Sequence, residues 1–237
     1  MSRPVATVLF DFGGQNLTEA GIPAAARSLG IFVAQEVDRV TLLRSVPETW
    51  RIEVPEHDRH QAVCWDTDEW QSLGPVESHR IHGSGKGDPS VPDGIRTPAR
   101  FVHVKRLRHR ATGLIVRVIF TWWINSWKPA GRRDRWTAGR ARLAARARKI
   151  TIREMKKALA AGEEFLCEGD FNSLPARLRF AVVRGIRVVF GRGLERMYAS
   201  RGLVPVKTWH LPKVGVGRDL RHQGLAARFR YTIKEKP

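Results

Sequence analysis

The strongest constraint on this chain is a series of short apolar runs, each cut off by a turn signal or a change of pattern. Residues 5–10 (VATVLF) stop at Asp11-Phe12-Gly13-Gly14, and residues 31–37 (IFVAQEV) follow Gly30. Residues 61–65 (QAVCW), 114–123 and 164–167 are bounded in the same way. Runs this short suit buried strands better than long helices. In residues 100–108, Phe101, Val102, Val104 and Leu107 stand among basic residues, and Ala111-Thr112-Gly113 joins this segment to 114–123 as a hairpin. Residues 224–233 alternate like one more strand. Residues 20–29 and 132–159 read as helices, and residues 40–46 as a short one. Residues 79–98, rich in Gly, Pro, Ser and Asp, read as a loop. The expected class is α/β (α+β), with two sheets packed face to face and helices outside. Neither an internal repeat nor a long linker is visible, so residues 1–237 are expected to form a single domain.

Charge narrows the partners. The chain has 42 Lys+Arg against 23 Asp+Glu, so 42 − 23 gives a net +19. Such a field attracts polyanions, with nucleic acid first among them. Within residues 132–157 there are 11 basic and two acidic residues, and Arg140, Arg142, Arg146 and Arg148 are candidate contacts to a phosphate backbone. An apolar share of 42% excludes a disordered chain. No apolar run is long enough to span a bilayer, so no membrane association is expected. Cys64 and Cys167 stand far apart and outside any CxxC, so neither a disulfide framework nor a zinc site is indicated. The opening residues lack the order of a signal peptide, and a cytoplasmic location is expected.

The chemistry concentrates in residues 165–172 (FLCEGDFN). An apolar strand ends at Gly169 and then presents Asp170 and Asn172, two positions apart and so on one side of an extended segment. A carboxylate can orient or deprotonate water, and a carboxamide can bond a phosphate oxygen. The same letters also describe an ordinary turn. Glu36, at the end of IFVAQEV, is a hard oxygen donor suited to Mg²⁺. His222, just before the terminal strand, is placed to stabilise or protonate a phosphoryl oxygen.

The order of these pieces resembles the endonuclease/exonuclease/phosphatase superfamily, which is DNase I-like. The likeness is carried by Glu168-Gly169-Asp170-Phe171-Asn172-Ser173 and Ala34-Gln35-Glu36-Val37, and more loosely by Phe120-Thr121-Trp122-Trp123, Leu194-Glu195-Arg196 and Leu220-Arg221-His222. It implies a two-layer β-sandwich with helices flanking both sheets. It implies that Glu36, with Asp11 and Glu195, binds Mg²⁺ or Mn²⁺. Asp170 would act on the attacking water, Asn172 would hold the phosphate, and His222 would stabilise transition-state charge. The activity implied is divalent-metal-dependent phosphoester hydrolysis, foremost as a nuclease, with DNA ahead of RNA as partner. Four positions depart from the family pattern: Asp11 stands for Asn, Trp122 for His, Glu195 for Asp and Arg221 for Asp. They leave two alternatives open. One is a degenerate member that binds nucleic acid or another phosphorylated ligand without cleaving it. The other is a basic interaction protein in which the GDFN motif is accidental.

Overall fold

A computed structural model describes residues 4–16, 29–35, 46–83, 99–123, 135–171, 180–192, 195–211 and 224–234. Six strands make the first sheet: β1 (Pro4–Asn16), β2 (Ile31–Gln35), β3 (Trp50–Glu53), β4 (Gln61–Asp66), β12 (Val204–His210) and β13 (Leu225–Lys234). Their order is β12-β13-β1-β2-β4-β3. The second sheet is built from β5 (Trp70–Ser72), β6 (Glu77–His82), β7 (Arg100–His109), β8 (Ile115–Trp122), β9 (Glu164–Asp170), β10 (Ile186–Arg192) and β11 (Glu195–Ser200). It runs β10-β11-β9-β8-β7-β5, with β6 also paired to β7.

The period-two pattern decides what each face meets. Phe12, Val33, Val63 and Trp65 of the first sheet pack against Leu107, Val118, Phe120 and Leu166 of the second. The alternate residues of the second sheet, among them Val102, Val104, Ile119, Phe165 and Cys167, face outward onto α1 (Arg135–Ala160). Ala147, Ile150, Met155 and Ala158 form the buried stripe of that helix, with Leu143 and Leu159 at its margin. The outer face of the first sheet carries a third cluster that includes Leu29, Phe32, Trp50 and Cys64. The helices expected near it, at 20–29 and 40–46, lie almost wholly outside the described residues.

Charged groups are buried in pairs. Lys105 is 1% exposed, and its ammonium bonds the Glu53 carboxylate and the Gly74 carbonyl while lying 4.6 Å from the Trp65 ring centroid. Beneath α1, Arg117 of β8 reaches Glu163 at 3.0 and 3.1 Å and Glu154 at 3.4 Å.

Three expectations change. The strand expected at 164–167 runs on through Gly169 to Asp170 as β9, paired with β8 and β11 on its two sides. β1 does not stop at Phe10 but continues through Gly13-Gly14 to Asn16. The glycines are held as strand because both flanks pair, Gly14 with Leu225 on one side and Val33 on the other. Residues 79–82, read as loop, belong to β6, which pairs along β7 through its backbone and so needs no apolar alternation.

Candidate functional site

One end of the space between the sheets is polar. β2 ends there at Gln35, β4 begins there at Gln61, and β9 brings Glu168 and Asp170 to it. All four are buried, with Glu168 at 0% and Asp170 at 1% exposure. The Gln35 carboxamide joins the two sheets. Its Nε2 donates to Glu168 Oε2 at 3.4 Å, and its Oε1 accepts the Asp170 amide at 3.0 Å. The same rung holds two more residues, since Asp170 pairs in register with Trp122 of β8 and with Glu195 of β11. Gly169 lets β9 approach this closely, because a Cβ there would collide with the Thr121 carbonyl oxygen.

A second network extends from Gln61. Its Nε2 donates to Asp58 Oδ2 at 2.8 Å, and the His60 amide donates to Asp58 Oδ1 at 3.1 Å. Asp58 also lies 3.2 Å from His103 Nε2, while His103 Nδ1 meets the Ser78 hydroxyl at 3.0 Å. Burial pushes the Asp58 carboxyl up, but its bond and charge interaction with His103 and its bonds from Gln61 and His60 outweigh this and hold it below 3.8. His103 is fully buried, and that burial keeps its imidazole below 6.5 despite Asp58. A neutral His103 therefore donates Nε2–H to Asp58 and accepts the Ser78 hydroxyl at Nδ1.

The expected site residues are brought here unevenly. Asp170 is at the centre, and Glu195 is its cross-strand neighbour. Glu36, Asn172 and His222 lie outside the described residues. The described residues nearest them in sequence are placed as follows: Gln35 touches the Asp170 amide, Phe171 follows the last residue of β9, and β13 begins at Leu225 opposite Gly14. Asp11 is placed elsewhere. It pairs with Arg228, five residues before the end of β1, or about 16 Å along the strand. Asn16 is the β1 residue that pairs with Gln35. Sequence reading missed it because the glycine pair looked like the end of the strand. Of the helix arginines, Arg142 and Arg146 are exposed and Arg148 is half-buried, and α1 lies on the face of the second sheet away from this cleft. Arg140 lies within α1.

Glu168 and Asp170 are two buried carboxylates on one face of one strand, a hard-oxygen set that fits a divalent cation. Another group is less suitable. Ligand atoms of Glu77, His79 and Glu154 lie within 4.8 Å of one another. Glu154, however, already meets Arg153 at 2.8 Å, Lys157 at 3.1 Å and Arg117 at 3.4 Å. A metal there would face three fixed positive charges, so this group is an ion-pair node. Among the described residues, no helix is long and apolar enough to cross a membrane.

Neither a protein-family model nor a curated protein sequence matches the chain. Solved structures do. An endonuclease/exonuclease/phosphatase family protein from Bacteroides thetaiotaomicron superposes with a TM-score of 0.66 at 11% identity, over 96% of this chain and 100% of that one. D. rerio TDP2 complexed with single strand DNA product gives 0.66 at 10% identity, over 93% and 98%. The mannosyl-6-phosphatase Bt3783 of Bacteroides thetaiotaomicron gives 0.64 at 12% identity, over 93% and 99%. At these identities the likeness concerns the backbone, and it agrees with two stacked sheets. The chain has the DNase I-like fold that these structures share.

Proposed function

We propose that this protein is a divalent-metal-dependent phosphoesterase that hydrolyses phosphodiester bonds in nucleic acid, working as a single domain. The observation that carries the reading is the rung at the cleft end, where buried Asp170 is in register with Glu195 and bonded through its amide to Gln35, the neighbour of Glu36. Glu36 and Glu195 would hold Mg²⁺ or Mn²⁺, with Asn16 in the first-strand place given to Asp11 by sequence. The ion, when bound, supplies Lewis-acid activation of the phosphoryl oxygen. Asp170 orients the attacking water and takes its proton. Its burial limits access of bulk water and strengthens that interaction. Asn172 holds a non-bridging phosphate oxygen, and His222 donates to the oxygen on which charge develops. The net charge of +19 supports a polyanionic substrate, and the TDP2 structure with single-stranded DNA supports nucleic acid as its class.

One observation favours binding without hydrolysis. The Trp122 indole, which has no metal lone pair, is in register with Asp170, and the Arg100 guanidinium carbon lies 3.4 Å from its ring centroid. Assays of a labelled oligonucleotide with Mg²⁺, Mn²⁺ and EDTA separate the two readings. Cleavage that requires the ion is expected. Retention of the strand without cleavage under any ion would leave the degenerate reading. In that case Trp122→His with Arg221→Asp should restore hydrolysis if the site is a decayed one.

A further inference from the structure

Beside the Asp170 rung, the same edge of the second sheet carries a run of aromatic and basic groups. Trp122 of β8 is in register with Asp170 of β9. Val102 of β7 pairs with Thr121, so Phe101 stands next to Trp122, and Phe101 pairs in turn with Arg80 of β6. Asp170, Trp122, Phe101 and Arg80 therefore occupy neighbouring strand ends. Three strand spacings separate the first from the last, about 14 Å. Beyond Trp122 a cavity of about 270 Å³ is lined by His57, Arg80, Gly83, Ala99 and Phe101. None of these lining residues is acidic. Glu56, the carboxylate that approaches His57, does so at 4.0 Å and is 88% exposed.

We propose that this cavity is a phosphate subsite for a single nucleic-acid strand whose reacting phosphoester lies against Asp170, with Trp122 between them as a stacking platform for a base. The inference deepens the phosphoesterase reading and rests on it for the position of the reacting group. Arg80 and His57 supply donors to the phosphate. The Arg100 guanidinium over Trp122 brings positive charge to the indole, which the His60 ring meets edge-on at 6.4 Å, and suits it to a base on an anionic strand.

The floor of the cavity is fixed from the core. His57 stacks on Phe101 with centroids 6.4 Å apart, Phe101 on His103 at 5.6 Å, and His103 meets Phe120 at 5.1 Å. Asp58 binds His103, Gln61 and the His60 amide, so it pins the loop that carries His57 to the polar end of the cleft. The buried Ser78–His103–Asp58 array acts here as a support. It sets where the subsite stands relative to Asp170.

Fluorescence anisotropy with a labelled oligothymidylate, in EDTA and over a salt series, tests this. Arg80→Ala should weaken binding about fivefold to tenfold and lower the slope of log affinity against log salt by about 0.7, the value of one single-strand phosphate contact. Trp122→Ala should weaken binding about tenfold with the salt slope unchanged, and Trp122→Phe should retain most of the affinity, because stacking needs a ring and no charge. Arg108→Ala, an exposed change at the other end of β7, should alter neither quantity. Inorganic phosphate at millimolar concentration should compete with the strand in wild type and much less in Arg80→Ala. Equal losses in Arg80→Ala and Arg108→Ala would mean a diffuse field and overturn the subsite. Wild-type binding by Trp122→Ala would overturn the platform. The readout in EDTA is binding alone, so a protein that binds as described but never cleaves refutes the phosphoesterase reading and the reacting group placed at Asp170, and leaves the phosphate subsite and the stacking platform standing.

Discussion

The two faces of the second sheet bury carboxylates in different company. Under α1, Glu154 is fully buried and meets Arg117, Arg153 and Lys157, while Glu163 is bridged by Arg106 and Arg117. In the cleft between the sheets, the Gln35 carboxamide holds Glu168 and the Asp170 amide, and the Gln61 carboxamide and His103 hold Asp58. A cation cancels the charge it binds and opposes a metal at the same place. A carboxamide fixes the position of a carboxylate without bringing a charge of its own. The first arrangement docks a helix. The second suits a site at which a cation and water must be handled.

This contrast breaks most directly at Asp170. Asp170→Asn keeps the shape of the side chain but removes the proton acceptor. If the cleft is the active end, turnover should fall about 10²–10⁴-fold while strand affinity stays close to wild type, since the effect belongs to the transition state. Single-turnover cleavage beside a binding curve measures both. A variant that cleaves at the wild-type rate would remove Asp170 from the chemistry.

The opposite result is expected under the helix. Arg117→Met leaves Glu154 and Glu163 buried without the group that bridges them, and stability should fall by about 3–5 kcal/mol in denaturant unfolding. The fraction that remains folded should turn over as wild type does. A large drop in turnover per folded molecule would show that the two faces are coupled after all.

The difference between the faces was only partly legible in the sequence. The buried strands were readable where apolar residues run together, as at Ile31–Ala34 in β2 and Phe165–Cys167 in β9. β3, β5 and β12 were not, because they are short or mostly exposed and gain their order from backbone pairing with a neighbour. Asp170 stood out by its place after a strand and a glycine. Asn16 was hidden behind Gly13-Gly14, whose strand character comes from Leu225 and Val33, residues remote in sequence. Gln61, Asp58 and His103 carried no signal at all, and Gln35 entered only as a neighbour in the motif around Glu36. Nothing in a single polar residue tells that it will be buried opposite its partner, and Asp58 and His103 meet only because β7 is stacked on β4 and its loop.

Acidification should sharpen the distinction from the side of the cleft. The unfolded chain takes up a proton on His103 as pH falls through 6.5, whereas burial keeps the native imidazole neutral to a lower pH. Stability contributed this way is complete above 6.5 and drains away as pH drops below it. His79 and His109, also held below 6.5 chiefly by burial, act in the same direction. Thermal unfolding between pH 8 and pH 5 should therefore show a falling melting temperature, and His103→Gln should flatten the slope without abolishing it. An unchanged slope in that variant would mean that His103 titrates normally.

The smallest effect is expected from the basic helix, and the comparison of faces explains why. Arg142 and Arg146 are exposed on α1, which packs against the face of the second sheet away from the cleft. A strand engaged at Asp170 can meet these side chains only after passing the rim, so they contribute through the field and through outlying phosphates. Neutralising Arg140, Arg142, Arg146 and Arg148 should weaken binding several-fold, equally for all sequences. The salt slope should shrink by about 0.9 for each duplex phosphate that these arginines no longer neutralise. Turnover at saturating substrate should not change, because uniform binding raises affinity for substrate and transition state alike. Binding measured from low to high salt, together with kcat at saturation, decides the matter. A fall in kcat would place the helix on the reacting part of the substrate. An unaltered salt slope would remove α1 from the binding surface and leave nucleic-acid recognition to the cleft edge around Trp122 and Arg80.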